Sequence, residues 1–135
     1  MKLKLIIISA IFFLFCNFAQ GSEIKWYSYQ EGVDMAKKEG KMVYIYFYTD
    51  WCPYCKIMEK NTLKNEGVIE YLAKSFISVR INTDKERDIP MRYGVRGLPS
   101  NVFLSKEEAL IGSRPGYIET DVMLKVLQYL QKEPK

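Results

Sequence analysis

Two cysteines three positions apart are the residues of this sequence whose spacing most clearly supports chemistry. Cys52 and Cys55 flank the dipeptide Pro53-Tyr54, and Trp51 comes directly before them. Such a pair of thiols can exchange with a disulfide, since a thiolate attacks a disulfide sulfur. A purely structural disulfide is the simpler interpretation, but a loop this short stabilises a fold by only about 2 kcal/mol before strain is subtracted. The spacing therefore favours a redox site.

The 135 residues include three cysteines and no histidine, which narrows the possible chemistry. A Cys–His hydrolase needs an imidazole base, and a haem-attachment motif needs a histidine where Lys56 stands. If Cys16 is removed with a leader, the two remaining thiolates cannot complete a four-ligand zinc site, so we predict no metal site. Cu(I) is the one metal that stays open. We expect no cofactor other than a redox-active Cys52–Cys55 disulfide.

Residues 1–21 are typical of a cleavable signal peptide. A basic head is followed by an apolar stretch over residues 5–15 that only Ser9 interrupts. The run Ala19-Gln20-Gly21 then offers the small residues that a signal peptidase accepts. We expect cleavage after Gly21, which makes residues 22–135 an exported domain. Because no ER-retention signal closes the sequence, we expect that domain in the bacterial periplasm.

Two other interpretations of the leader stay open. Residues 5–19 could remain as a membrane anchor, although this stretch is shorter than the roughly 20 residues that cross a bilayer. Lipidation of Cys16 would need a small residue before it, and Phe15 is bulky. Both alternatives are less favoured than cleavage.

The composition is that of one folded domain, with 48% hydrophobic and 27% charged residues. The formal net charge is +4. It falls to about +2 once the two lysines of the leader are discounted, which is too little to indicate binding to nucleic acid. No repeat or linker divides residues 22–135, which indicates a single domain. We also expect this domain to be a monomer.

Local patterns predict alternating strands and helices. A capping-box pattern at Ser28-Tyr29-Gln30-Glu31 begins a helix that Gly40 ends. The apolar run from Met42 to Tyr48 predicts a strand buried on both faces, and Cys52 begins the next helix. Further patterns predict a helix over 68–75, a strand over 76–81, a short helix over 88–93, a hairpin of strands over 101–104 and 109–112, and a helix over 120–131. This order predicts an α/β fold in which a mixed central sheet has helices on both faces.

The cysteine pair lies at a junction between strand and helix, which predicts different roles for its members. Cys52 would lie at the helix N-terminus, where free backbone N–H groups and the helix dipole favour a thiolate. Cys55 would lie one turn inside the helix and be more buried. We therefore expect Cys52 to attack a substrate disulfide and Cys55 to resolve the mixed disulfide.

Four segments together resemble the thioredoxin superfamily. They are Trp51-Cys52-Pro53-Tyr54-Cys55-Lys56, Val79-Arg80-Ile81-Asn82-Thr83-Asp84, Tyr93-Gly94-Val95-Arg96-Gly97-Leu98-Pro99-Ser100, and Gly116 before the last helix. Within the superfamily, the sequence looks most similar to exported proteins akin to the C-terminal domain of the transmembrane reductase DsbD. The resemblance covers residues 26–131.

The resemblance implies a thioredoxin-like fold with a cis peptide bond before Pro99. Leu98 would present its backbone to an extended substrate, which would pair like an added strand. Trp51, Pro53 and Tyr54 would complete the substrate-binding surface. As partners, the resemblance implies disulfide-containing exported proteins and a membrane electron donor of the DsbD type.

One departure from the family concerns the strand before the cysteines. Thioredoxins usually carry a buried aspartate there that assists the second cysteine, and Tyr46 occupies that position here. Neither Asp50 nor Glu59 is an obvious replacement from its position in the sequence. Arg80 stands where the lysine partner of that aspartate is often found, but an exposed surface arginine explains it equally well.

The other departure is the dipeptide Pro53-Tyr54, which glutaredoxins carry where thioredoxins have Gly-Pro. The potentials of these two families differ by only about one to three kcal/mol, so the motif does not fix the direction of electron flow. We expect a thiol–disulfide oxidoreductase that reduces or exchanges disulfides of periplasmic proteins. A dithiol oxidant and a non-catalytic thiol-dependent binding module or Cu(I) carrier are the alternatives.

Overall fold

The computed structural model describes residues 23–132, so the basic head, Cys16 and the expected cleavage site lie outside it. The helices and strands are β1 (Trp26–Tyr27), α1 (Tyr29–Glu39), β2 (Met42–Tyr48), α2 (Pro53–Asn61), α3 (Glu66–Ser75), β3 (Phe76–Asn82), α4 (Asp88–Arg92), β4 (Ser100–Leu104), β5 (Leu110–Pro115) and α5 (Thr120–Lys132). Within this part of the chain, no helix is long and apolar enough to cross a membrane.

The five strands form one mixed sheet in the order β1-β3-β2-β4-β5. The central strand β2 runs parallel to β3 and antiparallel to β4, and Ile45 lies between Val79 on one side and Val102 on the other. Helices α2, α3 and α5 pack on one face of the sheet, and α1 and α4 pack on the other. The predicted fold class is confirmed.

The side chains of β2 explain why its sequence is apolar throughout. Successive side chains of a strand point to opposite faces of the sheet. Met42, Tyr44 and Tyr46 join the hydrophobic cluster under α2, α3 and α5, which also contains both cysteines of the motif. The alternate residues Val43, Ile45 and Phe47 join the cluster under α1 and α4. Because helices cover both faces, neither set of side chains is polar.

The first helix forms as its capping pattern predicts. The Glu31 carboxylate accepts hydrogen bonds from the backbone N–H of Ser28, at 3.2 Å, and from its hydroxyl. Gly40 ends the helix at φ 67°, a left-handed conformation in which glycine carries no steric cost. The local sequence alone is therefore sufficient to set both ends of α1.

The bounds of two elements differ by two or more residues from the sequence prediction. Helix α3 begins at Glu66, before the expected Val68, because the Asn65 side chain accepts a hydrogen bond from the Val68 N–H at 3.2 Å and caps the helix. Strand β5 extends over Leu110–Pro115, beyond the expected 109–112, because its pairing with β4 continues to Ser100. The two-residue strand β1 was not predicted.

Candidate active site

Cys52 and Cys55 lie where β2 ends and α2 begins, and they form a disulfide with a Cα–Cα distance of 5.2 Å. Cys52 is the N-cap residue of α2, and its sulfur accepts a hydrogen bond from the Cys55 backbone N–H at 3.2 Å. Pro53 occupies the first turn, where a helix loses nothing from its missing N–H. The Cys52 sulfur therefore lies at the helix N-terminus, which favours negative charge on it.

The two cysteines differ in their access to solvent. Cys52 is 3% exposed, whereas Cys55 is completely buried. The neighbouring Trp51 and Tyr54 are exposed at 69% and 63%, and they flank the disulfide with apolar surface. Cys52 is therefore the cysteine nearer to solvent, and exposed aromatic side chains precede and follow it in the sequence.

The orientation of Trp51 is fixed by a hydrogen bond. Its indole N–H donates to the Asp84 carboxylate at 2.8 Å. The backbone N–H of Asp84 in turn donates to the Asn82 side chain at 3.0 Å. The large apolar ring beside the cysteines is therefore held in place from the end of β3, a contact that the sequence prediction did not include.

Leu98 and Pro99 lie at the edge of the sheet that also carries the cysteines. They are joined by a cis peptide bond. Ser100, which follows them, begins β4 and pairs with Phe47 near the end of β2. Leu98 is partly buried against the cluster that contains both cysteines. The sequence-predicted residues of the cysteine run and of the Leu98-Pro99 segment are thus brought to one edge of the sheet.

Tyr46 occupies the space between β2 and α2, directly behind Cys55. Its hydroxyl lies 3.2 Å from the Cys55 carbonyl oxygen and 3.4 Å from the Glu59 carboxylate, and it can donate to either. Burial, followed by the nearby charge of Glu59, raises the pKa of Tyr46. The hydroxyl therefore keeps its proton and acts as a donor rather than as a base.

Glu59 and Arg80 complete this environment. The Glu59 carboxylate lies 3.9 Å from the Arg80 guanidinium, which lies over the Tyr48 ring at 4.2 Å from its centroid. The sequence left the roles of both residues open. In the structure, Glu59 is the carboxylate beside Tyr46, and Arg80 is its half-buried ion-pair partner. Asp50 instead accepts a hydrogen bond from the Asn82 side chain at 3.4 Å.

A signal for Glu59 was present in the sequence. It follows Cys55 by four positions, and residues four apart in a helix lie on the same face. The position of Arg80 next to Tyr46 could be predicted only from the sheet register, because these two residues are direct partners across β2 and β3. Their proximity to Glu59 follows only once the helix is packed on the sheet.

The strand order and the disulfide at the start of the helix after the central strand define the class of thioredoxin-fold thiol–disulfide oxidoreductases. The family model for a thioredoxin-like domain matches residues 29–131. The chain therefore belongs to the thioredoxin-like domain family, as its motifs indicate.

Individual relatives agree with this assignment. The thiol:disulfide interchange protein DsbD of Pseudomonas fluorescens is 32% identical over 81 residues, covering 58% of this chain and 14% of that protein. Spermatogenesis-associated protein 20 of Homo sapiens is 29% identical over 91 residues, covering 61% of this chain and 12% of that protein. The chain thus spans only a small part of these two relatives.

A solved structure matches over a larger share of both chains. The solution structure of a thioredoxin from Thermus thermophilus has a TM-score of 0.75 and 30% sequence identity to this chain. The match covers 82% of this chain and 88% of the thioredoxin. The likeness therefore extends over nearly the whole of a thioredoxin domain.

Proposed function

We propose that this chain is an exported oxidoreductase that reduces or exchanges disulfides of periplasmic proteins through Cys52 and Cys55. The observation that carries the proposal is the asymmetry of the pair. The Cys52 sulfur lies at the N-terminus of α2 and accepts the Cys55 N–H, while Cys55 is completely buried. This asymmetry suits one attacking thiolate and one resolving thiol.

The reaction begins with the dithiol form. The Cys52 thiolate attacks one sulfur of a substrate disulfide, and the other substrate sulfur leaves as a thiolate. Cys55 then attacks the Cys52 sulfur, which breaks the mixed disulfide and releases the second substrate thiolate. The Cys52–Cys55 disulfide that remains needs two electrons from a dithiol donor before the next cycle.

Substrate binding is assigned to the surface around the disulfide. The exposed rings of Trp51 and Tyr54, together with Pro53, offer apolar contacts next to the cysteines. The backbone of Leu98, before Pro99, offers hydrogen bonds to an extended segment of a substrate protein. These contacts suit a partly unfolded protein that presents a disulfide.

The site of action and the electron donor are part of the proposal. Residues 1–21 act as a signal peptide that is cleaved after Gly21, which delivers the domain to the periplasm. Similarity to the thiol:disulfide interchange protein DsbD of Pseudomonas fluorescens supports a membrane electron donor of that type. The direction of electron flow is set by the potential of the pair.

Reduction of a protein disulfide by single-cysteine variants tests the proposal. We expect the Cys52→Ala variant to be inactive and the Cys55→Ala variant to accumulate mixed disulfides through Cys52. The exported product of a Cys16→Ala gene should be identical to the wild type, since cleavage after Gly21 removes this position. Mass spectrometry of the exported protein should show Ser22 as the first residue. Normal turnover by Cys52→Ala would refute the mechanism.

The potential of the pair decides between reductant and oxidant. It is obtained by equilibrating the exported protein in glutathione buffers of known composition. We expect a value near those of glutaredoxins and thioredoxin, at about −200 to −270 mV. A potential above about −150 mV would instead assign the chain as a dithiol oxidant, since its disulfide would then accept electrons from most protein thiols.

A further inference from the structure

Glu108 has a backbone conformation that its residue type rarely adopts. It lies in the turn between β4 and β5 at φ 70°, in the left-handed region that disfavours a residue with a Cβ atom. The turn is closed by hydrogen bonds from the Ser105 N–H to the Ala109 carbonyl oxygen, at 2.8 Å, and from the Glu108 N–H to the Ser105 carbonyl oxygen, at 3.0 Å. Neither bond uses the Glu108 side chain. A strained residue in a turn that glycine could also form therefore indicates a role for that side chain.

The Glu108 carboxylate contacts residues of both α1 and α4. It accepts a hydrogen bond from the Tyr29 hydroxyl at 2.7 Å. The Lys37 ammonium lies 3.5 Å from the carboxylate, and the Arg92 guanidinium lies 3.9 Å from it. The side chains of these two cations are more than half exposed, so water and salt screen the ion pairs. The hydrogen bond from Tyr29, which is buried, is therefore the strongest of the three contacts.

The Tyr29 hydroxyl links Glu108 to Tyr93. The two tyrosine oxygens are 2.6 Å apart, and their geometry alone allows either hydroxyl to donate. Burial, followed by the hydrogen bond with Tyr93, raises the pKa of Tyr29, so its hydroxyl keeps its one proton. Because a carboxylate can only accept, that proton goes to Glu108, and Tyr93 must donate to Tyr29. Glu108 therefore sets the direction of the hydrogen-bond chain that runs from Tyr93 through Tyr29.

Helix α4 depends on this cluster because it is too short to be stable by itself. It has five residues, and no side-chain hydrogen bond caps its N-terminus. Its last residue, Arg92, donates to the Tyr29 hydroxyl at 3.3 Å and lies over the Tyr29 ring at 5.5 Å from its centroid. Ile89 and Tyr93 add apolar contacts with the cluster under α1 and α4. The end of α4 is therefore held on α1 by polar contacts that converge on Tyr29 and Glu108.

The end of α4 is also the start of the segment that leads to the candidate active site. Residues 94–97 join Tyr93 to Leu98. The Val95 N–H donates back to a carbonyl oxygen of α4 at 2.9 Å, and the side chains of Val95 and Leu98 pack on the cluster under α1 and α4. The space around Gly97 is open, so this part of the segment has little support of its own. The position of the Leu98 backbone therefore depends on how firmly the end of α4 is held.

We propose that Glu108 is a positioning residue for substrate binding, which acts through Tyr29 and Tyr93 to hold the Leu98 backbone in its binding conformation. The proposal rests on the proposed function, which assigns substrate pairing to that backbone. Tyr29 belongs to the cluster on the opposite face of the sheet from both cysteines. Loss of the Glu108 carboxylate should therefore weaken the binding of a protein substrate and leave the reactivity of Cys52 unchanged. A small disulfide without a peptide backbone should react as before.

Glu108→Gly removes the carboxylate and introduces a residue that favours the observed φ, so a loss reports the side chain and not the turn. The reduced protein is mixed with increasing concentrations of insulin, whose disulfides serve as the protein substrate. Oxidation of the two cysteines is followed by acid quench, alkylation and mass spectrometry. We expect the half-saturating insulin concentration to rise about fivefold, as for a binding conformation that is populated about a fifth of the time. The limiting rate, and the rate with 5,5′-dithiobis(2-nitrobenzoate), should stay unchanged. Glu107→Gln, at the exposed carboxylate next in the turn, is the matched control.

A second variant and a second measurement test the same chain of contacts. Tyr93→Phe removes only the hydroxyl, and we expect a smaller rise of about twofold because Glu108 still holds Tyr29. Amide hydrogen exchange of residues 94–98 should be faster in Glu108→Gly than in the wild type, with exchange in α2 unchanged. An unchanged half-saturating concentration, unchanged exchange of residues 94–98, or an equal loss with both disulfides would each overturn the proposal. If the wild-type protein reacts with neither disulfide, the proposed function fails instead, and hydrogen exchange still tests the positioning of the segment.

Discussion

Tyr44→Phe tests a buried hydrogen bond beside the candidate active site. The Tyr44 hydroxyl donates to the Asn101 side-chain oxygen at 2.7 Å, and both residues are completely buried. The Asn101 amide nitrogen donates to the carbonyl oxygens of Arg114 and Gly116, each at 3.2 Å. The Gly116 N–H donates to the Pro99 carbonyl oxygen at 2.8 Å. This network therefore ties β2, β4 and the end of β5 to the segment that contains Pro99.

The expected loss follows from what the substitution leaves behind. A buried hydrogen bond contributes about 1 kcal/mol, and leaving the Asn101 oxygen without a donor raises the total cost to about 2 kcal/mol. For a domain of about 110 residues, this corresponds to a fall in melting temperature of about 9 °C. Burial raises the pKa of Tyr44 well above its ordinary value, so the bond should persist in mildly alkaline buffer.

Guanidinium chloride denaturation of the oxidised protein, followed by circular dichroism, measures the free energy of unfolding. Asn101→Leu and the double variant complete a cycle. Because the double variant leaves no buried partner of this bond unpaired, it should cost about 1–2 kcal/mol less than the sum of the single variants. Tyr129→Phe, at an exposed tyrosine of α5, is the control and should change little. A loss below about 0.5 kcal/mol for Tyr44→Phe, or additive single effects, would refute the reasoning.

Two further predictions concern stability. Leu127→Ala should lower the free energy of unfolding by about 2–5 kcal/mol, because Leu127 is completely buried in the cluster that contains the cysteines. Leu110→Ala, at an exposed leucine, should stay within about 0.5 kcal/mol of the wild type in the same denaturation measurement. Hydrogen bonds from the Ser28 hydroxyl, and then from the Ser28 backbone N–H, lower the pKa of Glu31. The stabilisation by ionised Glu31 is therefore complete above pH 4.5, the ordinary pKa of the group, and is lost as the pH falls below that value. Melting curves should therefore show Glu31→Gln less stable than the wild type at about pH 7 and nearly equal to it at about pH 3, and a difference that is constant with pH would contradict this assignment.

Elements whose signals lie within a few neighbouring residues were predictable from the sequence. Helix α1 has its cap and its terminating glycine in one continuous stretch, and β2 has an apolar run over its whole length. Both elements have the predicted bounds. The mixed sheet was also predictable, because the order of strands and helices permits few arrangements.

Strand β1 was not predictable because nothing local defines it. Two residues are too few to show a period of two, and Trp26 and Tyr27 are a strand only because they pair with Ser78 and Val79 of β3. The start of α3 is a different case. Asn65 is a favoured capping residue three positions before Val68, so this signal was present and was missed.

The candidate active site also has one part that the sequence predicts and one part that it does not. Its cysteine run is continuous in the sequence, so residue type and spacing were sufficient to locate it. The surroundings of Cys55 are assembled from three elements, because Tyr46 lies on β2, Glu59 on α2 and Arg80 on β3. From the sequence, Tyr46 indicated only the loss of an acid from the strand. The structure places a carboxylate at the Tyr46 hydroxyl from the opposite side, one helical turn beyond Cys55. The polar environment of Cys55 therefore depends on all the side chains that share the space between strand and helix. The residue at a single strand position does not determine it.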